Sequence, residues 1–238
     1  GYDMETNAER VGVLVGSGIG GLLAIQTGIQ RMMEKGPKRV NPLFVPLTIG
    51  NMGAANISMK VGARGISLDI VTACASATNA IGEAFIKIRN GELDACFAGG
   101  AEATINEIGI AGFDVLTALS PNDDPTTASR PFDKNRDGLV PSGGAATVIL
   151  EEYEHAVKRG ATILGEVAGY GFSSNGANIS QASDSGSLIA MERALIDAQI
   201  TAAEVDYINA HATSTQQGDA HEAVALNKLF APHKTPIS

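Results

Sequence analysis

An alternation constrains the fold most strongly: short apolar, β-rich runs break at small residues and lead into segments of helical period. Val11-Gly-Val-Leu-Val15 ends in Gly16-Ser-Gly-Ile-Gly-Gly21, and a helical pattern follows over 22–34 until Lys35-Gly-Pro37 stops it. Ile66-Ser-Leu-Asp-Ile-Val71 passes through Thr72-Ala-Cys74 into a helix reaching Arg89, with Ala77, Ile81, Ala84, Phe85 and Ile88 at helical spacing. Further strands are expected over 93–98, 145–151, 163–169 and 205–209, and helices over 153–159, 187–198 and 218–230. Residues 120–140, rich in Pro, Asp and Thr, read as a loop. Strands alternating with helices imply an α/β fold with a mainly parallel sheet and helices on its faces. The chain shows no short repeat, and a boundary near Arg159-Gly160 would divide it into 1–159 and 160–238.

Composition narrows the function classes. The 238 residues carry 17 Lys plus Arg against 26 Asp plus Glu, a net charge of −9, which argues against a nucleic-acid binder. With 44% hydrophobic and only 18% charged residues, the composition argues against extensive disorder. No apolar run is long enough for a membrane-spanning helix. Two cysteines make no disulfide framework, which favours a reducing compartment: the cytoplasm, or an organellar matrix in a eukaryote. Gly1 is not an initiator Met, and Lys234-Thr-Pro-Ile-Ser238 reads as the entry to a strand, so a segment of a longer protein is expected.

Two residues stand where α/β proteins collect reactive groups, at the carboxyl ends of strands. Cys74 follows the 66–71 strand and opens a helix, where unpaired N–H groups and the helix dipole favour thiolate. Its backbone N–H could also help hold an oxyanion. The competing reading is a buried core cysteine, the reading preferred for Cys96 inside the 93–98 strand. His211 follows the 205–209 strand and precedes Thr213-Ser-Thr-Gln-Gln-Gly-Asp219, a polar run suited to a ligand. His155 and His233 read as surface residues, and no histidine or cysteine spacing fits a metal site. Arg31, Lys35, Lys38 and Arg39 form a basic cluster that is either a solvated helix end or a docking surface. The glycines of residues 16–21 miss the dinucleotide fingerprint by one position and read as a close-packed turn.

Together these pieces resemble the β-ketoacyl condensing enzymes, the 3-oxoacyl-[acyl-carrier-protein] synthases of the thiolase fold. Asp69-Ile-Val-Thr-Ala-Cys74-Ala-Ser-Ala resembles that family's nucleophile motif, and Asn209-Ala-His211-Ala-Thr-Ser-Thr215 its NxHGTST motif. Arg130-Pro-Phe-Asp133 with Arg136-Asp-Gly138 resembles its RPFDxxRDGF loop, and Phe97-Ala-Gly-Gly100-Ala-Glu102 its AGGxE strand end. The resemblance implies a thiolase-like layered αβαβα architecture, truncated here at both ends. It implies decarboxylative condensation of an acyl thioester with malonyl-carrier protein, in fatty acid or polyketide synthesis. Cys74 would be the acyl-accepting nucleophile and His211 one of two catalytic histidines. Thr213 and Thr215 would contact the phosphopantetheine arm, Asp219 and Glu222 would support the site, and Ile19 would line the acyl pocket. Lys38 and Arg39 would dock the acidic carrier protein. No resident cofactor is implied, since phosphopantetheine arrives on the carrier protein; a homodimer is.

The sequence departs from the family at Ala212, which replaces a glycine and fits only if φ there stays negative. Pro141-Ser-Gly-Gly144 lacks the GEGA form of one branch. The family's catalytic Lys, second His and gating Phe fall beyond Ser238, so the segment alone is expected to be inactive. A non-catalytic partner subunit is the rival in another class, and the retained Cys74 argues against it. A coenzyme-A-dependent thiolase-type enzyme is disfavoured by the His211 motif and the loop from Arg130. A dinucleotide-binding module would rest on residues 16–21 alone.

Overall fold

Asp3 starts the first element: its carboxylate accepts the N–H groups of Glu5 and Thr6 and caps α1 (Met4–Asn7). The structure, a computed structural model, describes residues 2–176 and 184–238. In chain order follow β1 (Val11–Gly16), α2 (Leu22–Lys35), α3 (Phe44–Thr48), α4 (Met52–Val61), β2 (Ser67–Ile70), α5 (Ser76–Arg89) and β3 (Ala95–Ala103). Then come α6 (Glu107–Asp114), β4 (Gly143–Glu151), α7 (Tyr153–Lys158), α8 (Asp184–Ala198) and α9 (Gln216–Phe230). The elements fall into two compact units, Gly1–Ile110 with Ser142–Glu166 and Ala111–Pro141 with Val167–Ser238.

The first unit is built on a four-stranded sheet ordered β2-β1-β3-β4, parallel except for β4, which runs antiparallel to β3. Every residue of β1 is buried, and the two-residue period of the strand splits them between two cores. Val11, Val13 and Val15 pack with Ala54 of α4 and Ala63 on one face, Leu14 with Ala80 and Ala84 of α5 on the other. Small residues let these layers close. A Cβ on Gly16 would come within 2.4 Å of the Ser76 carbonyl, so only glycine lets the end of β1 meet the first turn of α5.

In the second unit α8 packs against α9. The strand expected over 163–169 is not formed. Leu164 is 97% exposed, and among the described residues no strand pairs with it. Further on, Gly169 and Gly171 lie against the α8 backbone, and Tyr170 N–H donates to Asp197 at 2.9 Å. This segment therefore answers to a helix rather than to a sheet. The strand expected over 205–209 shrinks to a parallel bridge between Ile208 and Ile237, carried by Ile208 N–H to Pro236, Ser238 N–H to Ile208 and Ala210 N–H to Ser238. α3, α4 and α6 lie where no helix was expected from sequence.

Candidate active site

β2 ends at Ile70, and the chain turns sharply before α5. Ala73 has a φ of 51°, left-handed and costly for a residue with a Cβ. Cys74 follows it in the 3₁₀ turn Ala73–Ala75, which runs into α5, and is exposed. It therefore precedes the helix by one turn rather than opening it. Buried polar side chains hold the elbow. Ser76 accepts the Thr72 N–H at 2.9 Å and donates to the Ala73 carbonyl at 2.6 Å, and the Asn79 amide reaches the Thr72 hydroxyl at 2.6 Å. Ala75, the N-cap of α5, makes no side-chain cap hydrogen bond, and the Ser76 N–H is taken by the Ala73 carbonyl, so the elbow meets the positive end of the helix dipole with no capping carboxylate in between. Cys96, by contrast, is fully buried, and burial pushes its thiol up to about 12; it is a core residue as expected.

The glycine turn after β1 is already occupied. Ser17 N–H donates to Asp69 Oδ1 at 2.9 Å, and Glu102 Oε2 accepts the N–H groups of Gly18 at 2.7 Å and Ile19 at 3.1 Å. A phosphate cradle needs those same donors free, so the turn carries no dinucleotide reading. Burial, opposed by the Ser17 bond and reinforced by the Glu102 charge, raises the Asp69 carboxyl above the usual carboxylate range. Ile19 is exposed in this turn, and Lys38 and Arg39 are exposed in the 3₁₀ turn Pro37–Arg39 after α2.

His211 belongs to the second unit. The segment it opens is latched from behind by two carboxylates on α9. Glu222 takes the N–H groups of His211 at 2.7 Å and Ala212 at 2.8 Å, one on each oxygen. Asp219, only 1% exposed, accepts Ser214 N–H at 3.0 Å and Phe132 N–H at 2.8 Å and pairs with Arg136 at 3.2 Å. Thr213 and Thr215 share a hydroxyl hydrogen bond of 2.9 Å, and Thr215 caps α9 by accepting Gly218 N–H at 3.1 Å. Both hydroxyls thus already have partners within the segment. Ala212 and Ser214 have φ of 49° and 67°, which corrects the expectation that Ala212 keeps φ negative. The Glu222 and Asp219 bonds to the adjacent N–H groups hold that left-handed backbone in place.

The loop around residues 130–138 wraps this segment. Arg130 N–H reaches the Ser214 hydroxyl at 3.1 Å, Gly138 N–H the Ser214 carbonyl at 3.1 Å, and Arg136 Nε the Thr215 carbonyl at 3.0 Å. The Ser120 hydroxyl, with Arg130 as ion-pair partner at 2.7 Å, holds Asp137 below the usual carboxylate range. Sequence reasoning missed the roles of Arg136 and Glu102, although both lay in the motifs it singled out; long-range hydrogen bonds leave no periodic signal. His155 is half-buried rather than a plain surface residue, set against the Tyr2 ring and bonded to Glu151 at 2.6 Å. His233 is exposed.

No helix among the described residues is long and apolar enough to cross a membrane. The beta-ketoacyl synthase N-terminal domain family matches residues 1–156, and the corresponding C-terminal domain family matches 164–238. The 3-oxoacyl-[acyl-carrier-protein] synthase 2 of Vibrio cholerae is 48% identical over 229 residues, 95% of this chain and 55% of that protein. Its Staphylococcus aureus counterpart is 44% identical over 228 residues, 95% and 57%. The chain therefore spans little more than half the length of these relatives. Among solved structures, a type II polyketide ketosynthase in complex with its acyl-carrier protein superposes with a TM-score of 0.94 at 30% identity, over 99% of this chain and 60% of that one. A β-ketoacyl synthase from Burkholderia phymatum superposes at 0.88 with 39% identity, over 97% and 56%. Both domain families, in order and across almost the whole sequence, place a thiolase-like α/β chain in the β-ketoacyl synthase family.

Proposed function

We propose that the whole protein to which this chain belongs is a β-ketoacyl-[acyl-carrier-protein] synthase that carries its acyl group on Cys74. The observation that carries the reading is the elbow: an exposed cysteine on a left-handed turn, one residue ahead of the N-cap of α5 and at the positive end of its dipole. The thiolate attacks an acyl thioester, an S–C bond forms, and the carrier thiol leaves with the electron pair of the broken bond. The malonyl partner then loses carbon dioxide, and the electrons of that C–C bond become an enolate. The enolate carbon attacks the acyl-cysteine and expels the Cys74 thiolate, giving the 3-oxoacyl product.

His211 would donate to the developing enolate oxygen. Its backbone, fixed by Glu222, supports that assignment, because an oxyanion donor must be oriented beforehand. The second imidazole is expected from the part of the protein beyond these residues. Thr213 and Thr215 would meet the phosphopantetheine arm at the edge of the same segment, with Asp219 and Glu222 keeping it in shape. Exposed Lys38 and Arg39 would offer positive charge to an acidic carrier protein. The relatives' names and the carrier-protein complex support this partner, and a homodimer completes the reading. A reducing compartment, the cytoplasm or an organellar matrix, would keep the Cys74 thiol available.

The test is labelling of the full-length protein with a cerulenin-like epoxide or an acyl thioester, followed by peptide mass mapping. The label is expected on the peptide containing Cys74 and absent in Cys74→Ala. A label that survives in the variant refutes the assignment.

A further inference from the structure

The four backbone N–H groups that leave β1 all have acceptors within the first unit. Asp69 of β2 takes Ser17, Glu102 of β3 takes Gly18 and Ile19, and the Ser17 hydroxyl takes Gly20 at 3.1 Å. Since β2 and β3 flank β1 on either side, the turn is held from both neighbours at once. It also abuts the nucleophile elbow. A Cβ on Gly18 would lie 3.7 Å from the Ala73 carbonyl oxygen, 3.8 Å from its Cα and 3.1 Å from Glu102 Oε2, with Ala73 next to Cys74. Ile19 is the large apolar side chain of this turn and is 44% exposed.

We propose that Glu102, assisted by Asp69, is a positioning residue for acyl transfer: by fixing residues 17–20 it sets where Ile19 stands beside the Cys74 elbow, and so which acyl chains the Cys74 thioester accepts. The inference rests on the reading of Cys74 as acyl acceptor and of Ile19 as a wall of the acyl pocket. One oxygen of Glu102 accepts both N–H groups, so a glutamine can replace it through its amide oxygen, whereas alanine leaves both donors without that acceptor. A residue that only stabilises the fold would slow every acyl donor alike. A residue that places the wall of an acyl pocket changes the ratio between donors, because small misplacements near the reacting atoms are costly.

The experiment uses the full-length protein with hexanoyl and palmitoyl thioesters of N-acetylcysteamine, following acylation of Cys74 by intact mass. Iodoacetamide alkylation of Cys74 serves as a control for the elbow. E102A is expected to shift the palmitoyl-to-hexanoyl rate ratio by about fivefold or more, with alkylation within about twofold of wild type. E102Q is expected to keep the ratio within about twofold. Should E102A fail to fold, S17A decides: it removes the acceptor of the Gly20 N–H, leaves both carboxylates, and is expected to move the ratio likewise. An unmoved ratio in the folded variant, or a shift in E102Q as large as in E102A, overturns the inference while Cys74 acylation stands. Absence of Cys74 acylation in wild type overturns the underlying reading and this one with it.

Discussion

Replacing Ala212 with glycine is expected to stabilise the chain, although the site lies in a polar segment of the second unit. Ala212 has a φ of 49°, where its Cβ crowds the following carbonyl. For a residue with a side chain that region costs about 1–2 kcal/mol. Glycine removes the crowding but loses about 0.5–1 kcal/mol more backbone entropy on folding. The difference leaves roughly 0.5–1 kcal/mol in favour of A212G, a rise of about 1–4 °C in Tm for a chain of this size. The backbone is not expected to move, because the Ala212 N–H stays on Glu222 Oε2 at 2.8 Å whichever residue is present. A212V runs the opposite way, since a β-branched side chain in the same region is more crowded still. Thermal and urea unfolding of the three proteins reads this directly, with an unchanged urea slope showing that the unfolded state is not the cause. If A212G proves less stable than wild type while A212V matches it, the left-handed strain assigned to Ala212 is wrong.

The remaining predictions test the buried charges. Asp219→Asn weakens the acceptor that holds Ser214, Phe132 and Arg136, and about 3 kcal/mol of stability should go with it, read by urea unfolding; a loss below 1 kcal/mol, on the order of a surface pair, would contradict the buried latch. Cys96, with its thiol pushed up to about 12, should resist iodoacetamide at pH 8 until the chain unfolds, whereas exposed Cys74 reacts in the native state; equal rates by peptide mapping would refute that. Burial and the Glu102 charge raise the folded-state pKa of Asp69 above its unfolded value, so its contribution to stability is full below the unfolded value and is lost as pH rises through the folded one. Asp69→Asn keeps an oxygen for the Ser17 N–H and has no proton to lose. Its urea midpoint should therefore gain on wild type as pH rises above the ordinary carboxylate range, and a constant gap would count against the shift.

Periodicity placed the strands of the first unit and the helices α8 and α9 of the second, and failed for the strands expected over 163–169 and 205–209. β1, β2, β3 and β4 each stand within a few residues of where apolar runs placed them; β1 and β3 are buried and their composition records it, whereas β4 is largely exposed and was found from its β-rich run alone. Residues 163–169 have the same composition without a partner strand, and pairing is a long-range fact that a local run does not encode. α3 and α4 were hidden for a different reason. Phe44-Val-Pro-Leu-Thr48 and Met52-Gly-Ala-Ala carry Pro and Gly that read as breaks, yet the ring of Phe44 packs against Gly28 of α2 and Ala54 of α4 is fully buried. Tertiary packing overrode local preference there. Cys74 and His211 were singled out because strand ends and motif order are local; that Glu102 and Arg136 hold the turns beside them was not legible, because each acts across 79 or more residues of sequence.

The acidity of the chain has a structural cause as well. A net charge of −9 argues against a nucleic-acid surface, but it does not follow that the acids merely solvate the protein. Asp69 and Glu102 bind the N–H groups of the turn beside the Cys74 elbow, and Asp219 and Glu222 bind those of the His211 segment. Both units use one device: carboxylates on regular elements accept N–H groups from tight turns, two of whose non-glycine residues, Ala212 and Ser214, have positive φ. A turn of that kind cannot satisfy its own donors through helix or sheet, so left to itself it would open to water and relax. A charged acceptor on a rigid strand or helix supplies the missing bonds more strongly than a neutral one. The proposed nucleophile and oxyanion donor then stand beside backbone that is strained yet fixed, the preorganisation such roles would require.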